Sequence, residues 1–440
     1  MMRNVVAAGA VLAATISGSL ADNCAAGGGA DSLDNFYCQP VQGITYSNVG
    51  SSNSYNEVTS MNGGSCGSSP KAYSGPIAPL DEEVSLHFAG PLQLKQFGVY
   101  MPENSSGTSK HRRGLASHRR HGHQHFHEHH KEIRDEQEKR NVGDVVVATI
   151  DGVRVSWTSE LPGATATPAA PAAVDAASAS PGSGSYGDYS NTGSSPVSSW
   201  TRAAYYDSAS QTKDGLVFLN HLGGQGSGVW DASFGNSLSF AGSDGQSAAS
   251  SPQILADTTI PSNHEVVIFS DKPCSNGDCG FFRPGTDDVA FHGFDGASKI
   301  FVFEFQMPDD GQSGWNLNMP AIWILNAKIP RTSQFPADPA CSCWASGCGE
   351  FDLFEILNSG NTKAKSTFHM GQAAGDSDYF VRPTGATIKA AVILDGSSSI
   401  AHIQVLDDSV TFGDTLSKSD VDGFLSKSTG AGLSTFALAA

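Results

Sequence analysis

The chain has 440 residues and a formal net charge of −18, with 49 glycines, 23 phenylalanines and only 16% charged residues. Such an acidic surface repels phosphate and therefore argues against nucleic acid and anionic membranes as partners, whereas a neutral polysaccharide is unaffected. The low charge and the abundance of glycine and aromatic residues are typical of β-sandwich proteins, and this length suffices for two or three domains.

The first 21 residues are predicted to be a secretory signal peptide. An apolar stretch runs from Val5 to Ile16, and Ser19 and Ala21 provide small residues for cleavage after Ala21. A membrane anchor needs about 20 apolar residues, which is more than this stretch contains. We therefore expect a secreted protein of the extracellular space or cell wall, with no membrane partner.

All eight cysteines follow the predicted signal peptide, so disulfides are expected. They form three groups, which are Cys24, Cys38 and Cys66, then Cys274 and Cys279, then Cys341, Cys343 and Cys348. If the middle pair closes its own loop, three cysteines remain on each side, and either one disulfide joins the two outer groups or two thiols stay free. Zinc held by the last group is the alternative, which secretion disfavours.

Residues 22–102 are predicted to form a small glycine-rich β module. Its segments "EVSLHFAG" and "LKQFGVYM" alternate apolar with polar residues, which is the period of a strand. Two further strands meet across Asp151-Gly152 within residues 143–160, and this hairpin is expected to complete the module.

Residues 103–142 contain almost no apolar side chain and are predicted to be a disordered tether. They hold eight of the 14 histidines, which indicates either a weak zinc, copper or nickel site or, as we favour, a solvated segment. Asn104 begins the single N-glycosylation sequon. The segment also offers a processing protease three candidate dibasic sites, which are Arg112-Arg113, Arg119-Arg120 and Lys139-Arg140.

Residues 161–198 are rich in Pro, Ala, Ser and Gly, which predicts an extended linker. The part that follows, over residues 199–430, contains many short strand patterns separated by Gly, Pro, Asn and Asp. The predicted fold class is therefore all-β, with an antiparallel β-jelly-roll sandwich at the C-terminal side and the smaller β-rich module before it. We expect a monomer.

The segment "CGEFDLFEILNSG" places Glu350, Asp352 and Glu355 inside an apolar strand. Side chains alternate along a strand, so Glu350 and Asp352 share a face, while Glu355 would point to the other face. A β-bulge at Leu353-Phe354, where two apolar residues interrupt the alternation, would place all three acids on one face. The alternatives are an acidic strand that faces water and a Ca²⁺ site.

With the bulge, the α-carbons of Glu350 and Glu355 are expected about 13 Å apart at roughly 3.3 Å per step. If the side chains lean together, on the order of 5 Å separates the carboxyl groups, which is the spacing of a retaining glycosidase. Asp352 lies between them, where it would tune the nucleophile and raise the pKa of the acid.

The segments "PAIW", "EFDLFE" and "STFHMG" resemble the centre of laminarinase-type retaining endo-β-glucanases, family 16 of the glycoside hydrolases. The whole chain is also similar to fungal cell-wall proteins that combine a glycine-rich N-terminal domain with a glycosyl-hydrolase C-terminal domain. The resemblance implies a jelly roll in which Glu350 is the nucleophile, Asp352 assists it and Glu355 is the acid/base. It implies that His369 contacts the substrate or the catalytic strand and that Trp323 contacts the substrate. We expect Trp344 and Trp315 to stack on sugars as further candidates.

About 70 residues follow His369, too few for all strands of such a sandwich, so upstream segments are expected to supply the rest. The leading hypothesis is a secreted cell-wall endo-β-1,3-glucanase whose partner is β-glucan and which needs no cofactor or metal. The alternatives are a β-glucan transglycosylase, a non-catalytic glucan-binding wall protein, and a metal-binding protein that uses the histidine tract.

Overall fold

The computed structural model describes residues 28–31, 33, 35–103, 199–275, 277–426 and 432–438, together with the backbone of residues 145–150 and 153–158. The predicted signal peptide, the Asn104 sequon, the histidine-rich segment with its dibasic pairs and the linker over residues 161–198 lie outside the described residues. Within the described part, no helix is long and apolar enough to cross a membrane.

The described residues form 27 strands, numbered in chain order. The first nine are β1 (Gly29–Ala30), β2 (Phe36–Tyr37), β3 (Gly43–Ser47), β4 (Asn53–Asn62), β5 (Ser65–Tyr73), β6 (Val84–Ala89), β7 (Gln93–Pro102), β8 (Val145–Ile150) and β9 (Val153–Thr158). The next nine are β10 (Ser199–Asp207), β11 (Thr212–Asp214), β12 (Leu216–Asn220), β13 (Trp230–Asp231), β14 (Gly235–Asn236), β15 (Ser239–Ala241), β16 (Ala248–Ala249), β17 (Glu265–Ser270) and β18 (Lys299–Gln306). The last nine are β19 (Ala321–Asn326), β20 (Glu350–Glu355), β21 (Lys363–His369), β22 (Ala374–Gly375), β23 (Phe380–Val381), β24 (Ile388–Asp395), β25 (Ile400–Leu406), β26 (Thr415–Ser417) and β27 (Leu433–Ala437). The helices are α1 (Lys328–Thr332) and α2 (Lys418–Ser426), with 3₁₀ turns at Pro339–Cys341 and Trp344–Ser346.

Two large sheets form a sandwich, which confirms the predicted all-β class. The nine-stranded sheet has the order β11-β10-β7-β18-β24-β25-β3-β27, with β26 paired to β10. The ten-stranded sheet has the order β16-β15-β12-β17-β6-β19-β20-β21-β22, with β23 paired to β21. Buried side chains from both sheets, among them Phe88, Phe303, Ile324 and Phe354, make one hydrophobic core between them. The face of the ten-stranded sheet turned away from this core is called the outer face below.

The prediction of a separate N-terminal module is wrong, because β3, β6 and β7 belong to the two large sheets, although β4 and β5 form a two-stranded sheet of their own. Strand β6 lies between β17 and β19, β7 between β10 and β18, and β3 between β25 and β27. Every residue of β6 from Val84 to Phe88 is buried, so this strand needs neighbours on both sides and layers on both faces. The expectation that upstream segments supply missing strands is thereby confirmed.

The hairpin predicted within residues 143–160 is present as β8 and β9, paired in register from Val145 with Thr158 to Ile150 with Val153. It forms a two-stranded sheet of its own. Among the described residues neither strand pairs with β3, β6 or β7, so the strand pairing gives no support to the prediction that the hairpin completes a module with residues 22–102.

Disulfides close loops on the outer face, and the described residues contain no free cysteine. Cys274 pairs with Cys279, as the loop spacing predicts, and Cys343 pairs with Cys348. Cys66 pairs with Cys341 across 275 residues, so of the two alternatives the structure has the disulfide between the outer groups. These pairings leave no thiolate for zinc in the last group.

Candidate active site

Three carboxyl side chains lie in a row on the outer face of β20. In the pairing with β19, Glu350, Asp352 and Glu355 stand opposite Leu325, Trp323 and Ala321, which are every second residue of that strand. The register shifts between Asp352 and Glu355 in the pairing with β21 as well. The β-bulge predicted at Leu353-Phe354 is therefore confirmed.

The bulge follows from the sequence, because both doubled residues are apolar. Leu353 and Phe354 are fully buried in the core between the sheets. Phe354 packs against Phe305 and Phe380, with ring centroids 5.1 and 4.6 Å apart. Because two consecutive side chains point inward, the strand contains one extra residue at this position. The extra residue shifts the alternation, so Glu355 lies on the same face as Glu350.

His369 and Trp344 each contact one of the acids. Strand β21 places His369 opposite Glu350, and its Nε2 lies 3.0 Å from Oδ2 of Asp352. Trp344 comes from the 3₁₀ turn that the Cys343–Cys348 disulfide closes, and its indole N–H donates a hydrogen bond to Oε2 of Glu350. Its ring is tilted over His369, with centroids 6.3 Å apart.

The surroundings of the acids favour their protonated forms. Burial, followed by the neighbouring Asp352 charge, raises the pKa of Glu350 and of Glu355 to about 8. Burial alone raises the pKa of Asp352 to about 7. The His369 imidazole opposes the rise in pKa at both glutamates, and the Trp344 N–H opposes it at Glu350, whereas no side-chain donor lies on Glu355 among the described residues. The pKa values therefore do not distinguish the two glutamates, whereas the contacts do, because among the described residues a side chain donates a hydrogen bond to Glu350 and none donates to Glu355.

The predicted sugar-stacking residues differ in what they do. Trp323 is half-buried on β19 between Asp352 and His87 of β6, and it stacks on the His87 ring at 5.0 Å. Trp344 is 47% exposed and touches Glu350, while Trp315 is 68% exposed in the loop before β19. Ala321 begins β19 and pairs with Glu355, so the loop that carries Trp315 enters the sheet at the Glu355 end of the row.

Sequence reasoning missed a second polar cluster on the outer face. It contains His87 of β6, His221 after β12 and Glu265 of β17, with Gln334 donating to Glu265 at 3.1 Å. Because Trp323 pairs with both His87 and Asp352, two strand spacings, or about 10 Å, separate this cluster from the acids. No short motif could reveal it, since 178 residues separate His87 from Glu265.

Comparison with known proteins identifies relatives over nearly the whole chain. The family model for the C-terminal part of cell wall protein YJL171C/Tos1 matches residues 198–424, and the model for the N-terminal part matches residues 42–102. A Saccharomyces cerevisiae protein described as probable circularly permuted 1,3-β-glucanase TOS1 is 47% identical, over 90% of this chain and 92% of its own. A protein of Arthroderma benhamiae with the same description, without the TOS1 name, is 42% identical over 94% of each chain. No solved structure matches the chain.

Proposed function

The chain belongs to the YJL171C/Tos1 family of cell wall proteins, and we propose that it is a retaining endo-β-1,3-glucanase that hydrolyses or remodels β-glucan in the wall. Relatives described as probable circularly permuted 1,3-β-glucanases support the substrate class and agree with a sandwich whose strands β3, β6 and β7 come from the N-terminal part. The observation that carries the proposal is the row of Glu350, Asp352 and Glu355 on one face of β20.

Retention of configuration requires two carboxyl groups close enough to act on one bond without a water between them, about 5–5.5 Å apart. In the proposed first step, Glu355 protonates the glycosidic oxygen while the Glu350 carboxylate attacks the anomeric carbon, and the bond to the leaving sugar breaks. In the second step, Glu355 removes a proton from water, which attacks the same carbon and frees Glu350.

The assignment of roles follows from the contacts of each acid. A nucleophile must be ionised, and the Trp344 N–H stabilises the Glu350 carboxylate. Asp352, paired with His369, lies between the two glutamates, and burial followed by the Asp352 charge raises the pKa of both. We assign the acid role to Glu355, because among the described residues no side-chain donor stabilises its carboxylate. We further propose that Trp323, His369, Trp344 and Trp315 contact the glucan and that the protein acts as a monomer.

The experiment is a reducing-end assay over β-1,3-, β-1,3-1,4- and β-1,6-glucans, with the anomeric configuration of the first product followed by NMR. We expect cleavage of β-1,3-glucan to a β-anomer, and loss of cleavage in Glu350→Gln and Glu355→Gln. A matched control is Glu304→Gln, which removes a carboxyl on the other sheet where it accepts from Thr387. An α-anomer, or activity that survives both substitutions on β20, contradicts the mechanism.

A sugar hydroxyl can replace water in the second step, which would make the protein a transglycosylase with the same residues. Products longer than the laminari-oligosaccharide supplied would show this outcome. Retention of glucan binding without cleavage of any glucan would instead favour the non-catalytic wall protein.

A further inference from the structure

We propose that His87, His221, Glu265 and Gln334 bind a divalent transition-metal ion of the zinc class on the outer face. One imidazole nitrogen of each histidine and a carboxylate oxygen of Glu265 lie within 4.8 Å of one another. Nothing in the proposed glucanase mechanism uses these residues, so the inference stands independently of it.

Three elements bring the donors together. Strand β6 lies next to β17, and the pairing of Ala89 with Glu265 and of His87 with Val267 places both donors on the outer face. Strand β12 is the other neighbour of β17 and ends just before His221. The His87 side chain is fully buried, while those of His221 and Glu265 are 17% and 13% exposed. The cluster is thus enclosed on the sheet side and slightly exposed at His221 and Glu265, where Gln334 and Phe335 partly cover it.

The spacing of the donors suits a tetrahedral ion. Zinc binds nitrogen and oxygen ligands at about 2.0–2.1 Å, which places two ligands of a tetrahedron about 3.3–3.4 Å apart. Nε2 of His221 lies 3.3 Å from Oε1 of Glu265, and Nδ1 of His87 lies 2.6 Å from the same oxygen. An ion therefore requires the His87–Glu265 pair to open by less than about 1 Å, while His221 already lies at the tetrahedral spacing from Glu265.

The second contact of His87 has the arrangement typical of metal-bound histidines. Its Nε2 lies 2.8 Å from the hydroxyl of Ser85, two residues earlier on β6. When Nδ1 binds the metal, the proton is on Nε2 and is donated to this hydroxyl, which fixes the ring.

An unpartnered buried atom provides the fourth ligand. Oε1 of Gln334 is buried and accepts no hydrogen bond, while Nε2 of the same amide donates to the two oxygens of Glu265 at 3.1 and 3.4 Å. When a metal ion binds Glu265, the carboxylate no longer needs the Gln334 N–H as a donor. A 180° rotation of the Gln334 amide then puts Oε1 in the place of Nε2. The oxygen then faces the ion, and the unsatisfied acceptor gains a partner.

The donor set selects the metal class. Two imidazoles with a carboxylate and an amide oxygen suit zinc, copper or nickel, whereas calcium and magnesium prefer oxygen ligands alone. Cys274, Cys279 and His292 form a similar group, but the two sulfurs are joined in a disulfide and cannot act as thiolates.

The test is calorimetric titration of the metal-stripped full chain with ZnCl₂. Because the histidines within residues 111–130 can also bind zinc, every comparison uses a background in which they are replaced by serine. We expect one zinc per chain in this background, at least 100-fold weaker binding in His221→Asn and about tenfold weaker binding in Gln334→Ala. The matched control is His264→Asn, which removes a half-exposed imidazole that is hydrogen-bonded to the Ser262 carbonyl.

Tryptophan fluorescence gives a second measurement that needs no glucan. Trp323 stacks on His87, so zinc should change the emission of the serine background, and Trp323→Phe should abolish that change. The proposal is overturned if the serine background binds no zinc, or if folded His221→Asn and Gln334→Ala bind it as tightly as the background does. The four residues would then be a hydrogen-bonded support for Trp323.

Discussion

Glu350 and Glu355 lie on the same face of β20 although five residues separate them, because Leu353 and Phe354 both turn into the core. The proposed mechanism depends on this relationship, because both carboxyl groups must act on a single glycosidic bond. It also fixes their surroundings, since Trp344 and His369 gather near Glu350 and leave Glu355 without a side-chain donor in the described part of the chain.

The first prediction separates the two roles. Glu355→Ala should lower kcat on β-1,3-glucan by about 10²–10⁴-fold, the usual contribution of a general acid, but should spare the first step on an aryl glucoside whose leaving group needs no proton. Glu350→Ala should lose activity on both substrates, because no other group forms the glycosyl-enzyme.

Azide provides the check, because it replaces water as the attacking group. Glu355→Ala should regain activity with azide and give a β-glycosyl azide, whereas Glu350→Ala should give the α-azide by direct displacement. NMR of the products distinguishes the anomers. The opposite pattern would exchange the two roles.

The second prediction concerns stability against pH. The pKa of Glu355 is about 8 in the folded protein against an ordinary value of 4.5, so the folded state holds the proton more tightly than the unfolded state. The stabilisation is complete below about pH 4.5 and is lost as pH rises through about 8. Glu355→Gln mimics the protonated acid and should therefore raise Tm at pH 8 and leave it nearly unchanged at pH 4.

Thermal melts at the two pH values measure the effect. Each kcal/mol corresponds to about 2–4 °C for a domain of this size class, so a shift of several degrees at pH 8 is expected. A Tm difference that is the same at pH 4 and pH 8 would show that Glu355 titrates normally in the folded protein.

The third prediction concerns the hydrogen bond from Trp344. Trp344→Phe keeps an aromatic ring near His369 but removes the N–H that stabilises the Glu350 carboxylate. Hydrogen bonds to charged groups contribute about 1.5–3 kcal/mol, so we expect kcat/KM to fall about tenfold or more. Loss of this donor also raises the pKa of Glu350, so the acidic limb of the pH profile of kcat/KM should move to higher pH. Trp315→Phe is the comparison, and it should change KM without moving the pH profile. Identical profiles for both variants would assign Trp344 to stacking alone.

How far the sequence predicts this site depends on the range of the interactions. The bulge was predictable, because the doubled apolar residues and the odd spacing of the acids lie within six residues. The hydrogen bond from Trp344 is not predictable, because the sequence suggests only that the tryptophan stacks on sugar. Its position depends on the turn that the Cys343–Cys348 disulfide closes.

Strand patterns locate β6 and β7 but do not identify their partners, which is why the sequence alone suggests a separate module over residues 22–102. His87 and Glu265 meet only through the pairing of β6 with β17.

The fourth prediction follows from the shared sheets. Residues 43–102 provide β6 and β7 at central positions, and the Cys66–Cys341 disulfide links them covalently to the C-terminal part. A chain cut between residues 113 and 140, where the dibasic pairs lie, should therefore remain one particle with undiminished glucanase activity. Residues 199–440 expressed alone should fail to fold, because β17 and β19 lose the strand between them and their buried edges stay unpaired.

Size-exclusion chromatography and electrophoresis test this on a full chain with a specific protease site placed at Arg119-Arg120. The cut protein should elute at the volume of the intact chain, run as one band without reductant and separate into two bands with it. Cys66→Ser with Cys341→Ser is the companion variant, in which the two bands should appear without reductant while the elution volume stays the same. Separation of the two segments of this companion variant on the column would mean that the sheets alone do not hold them together.

Folding of residues 199–440 expressed alone would contradict the prediction, because it would restore the separate N-terminal module that the strand pairing argues against.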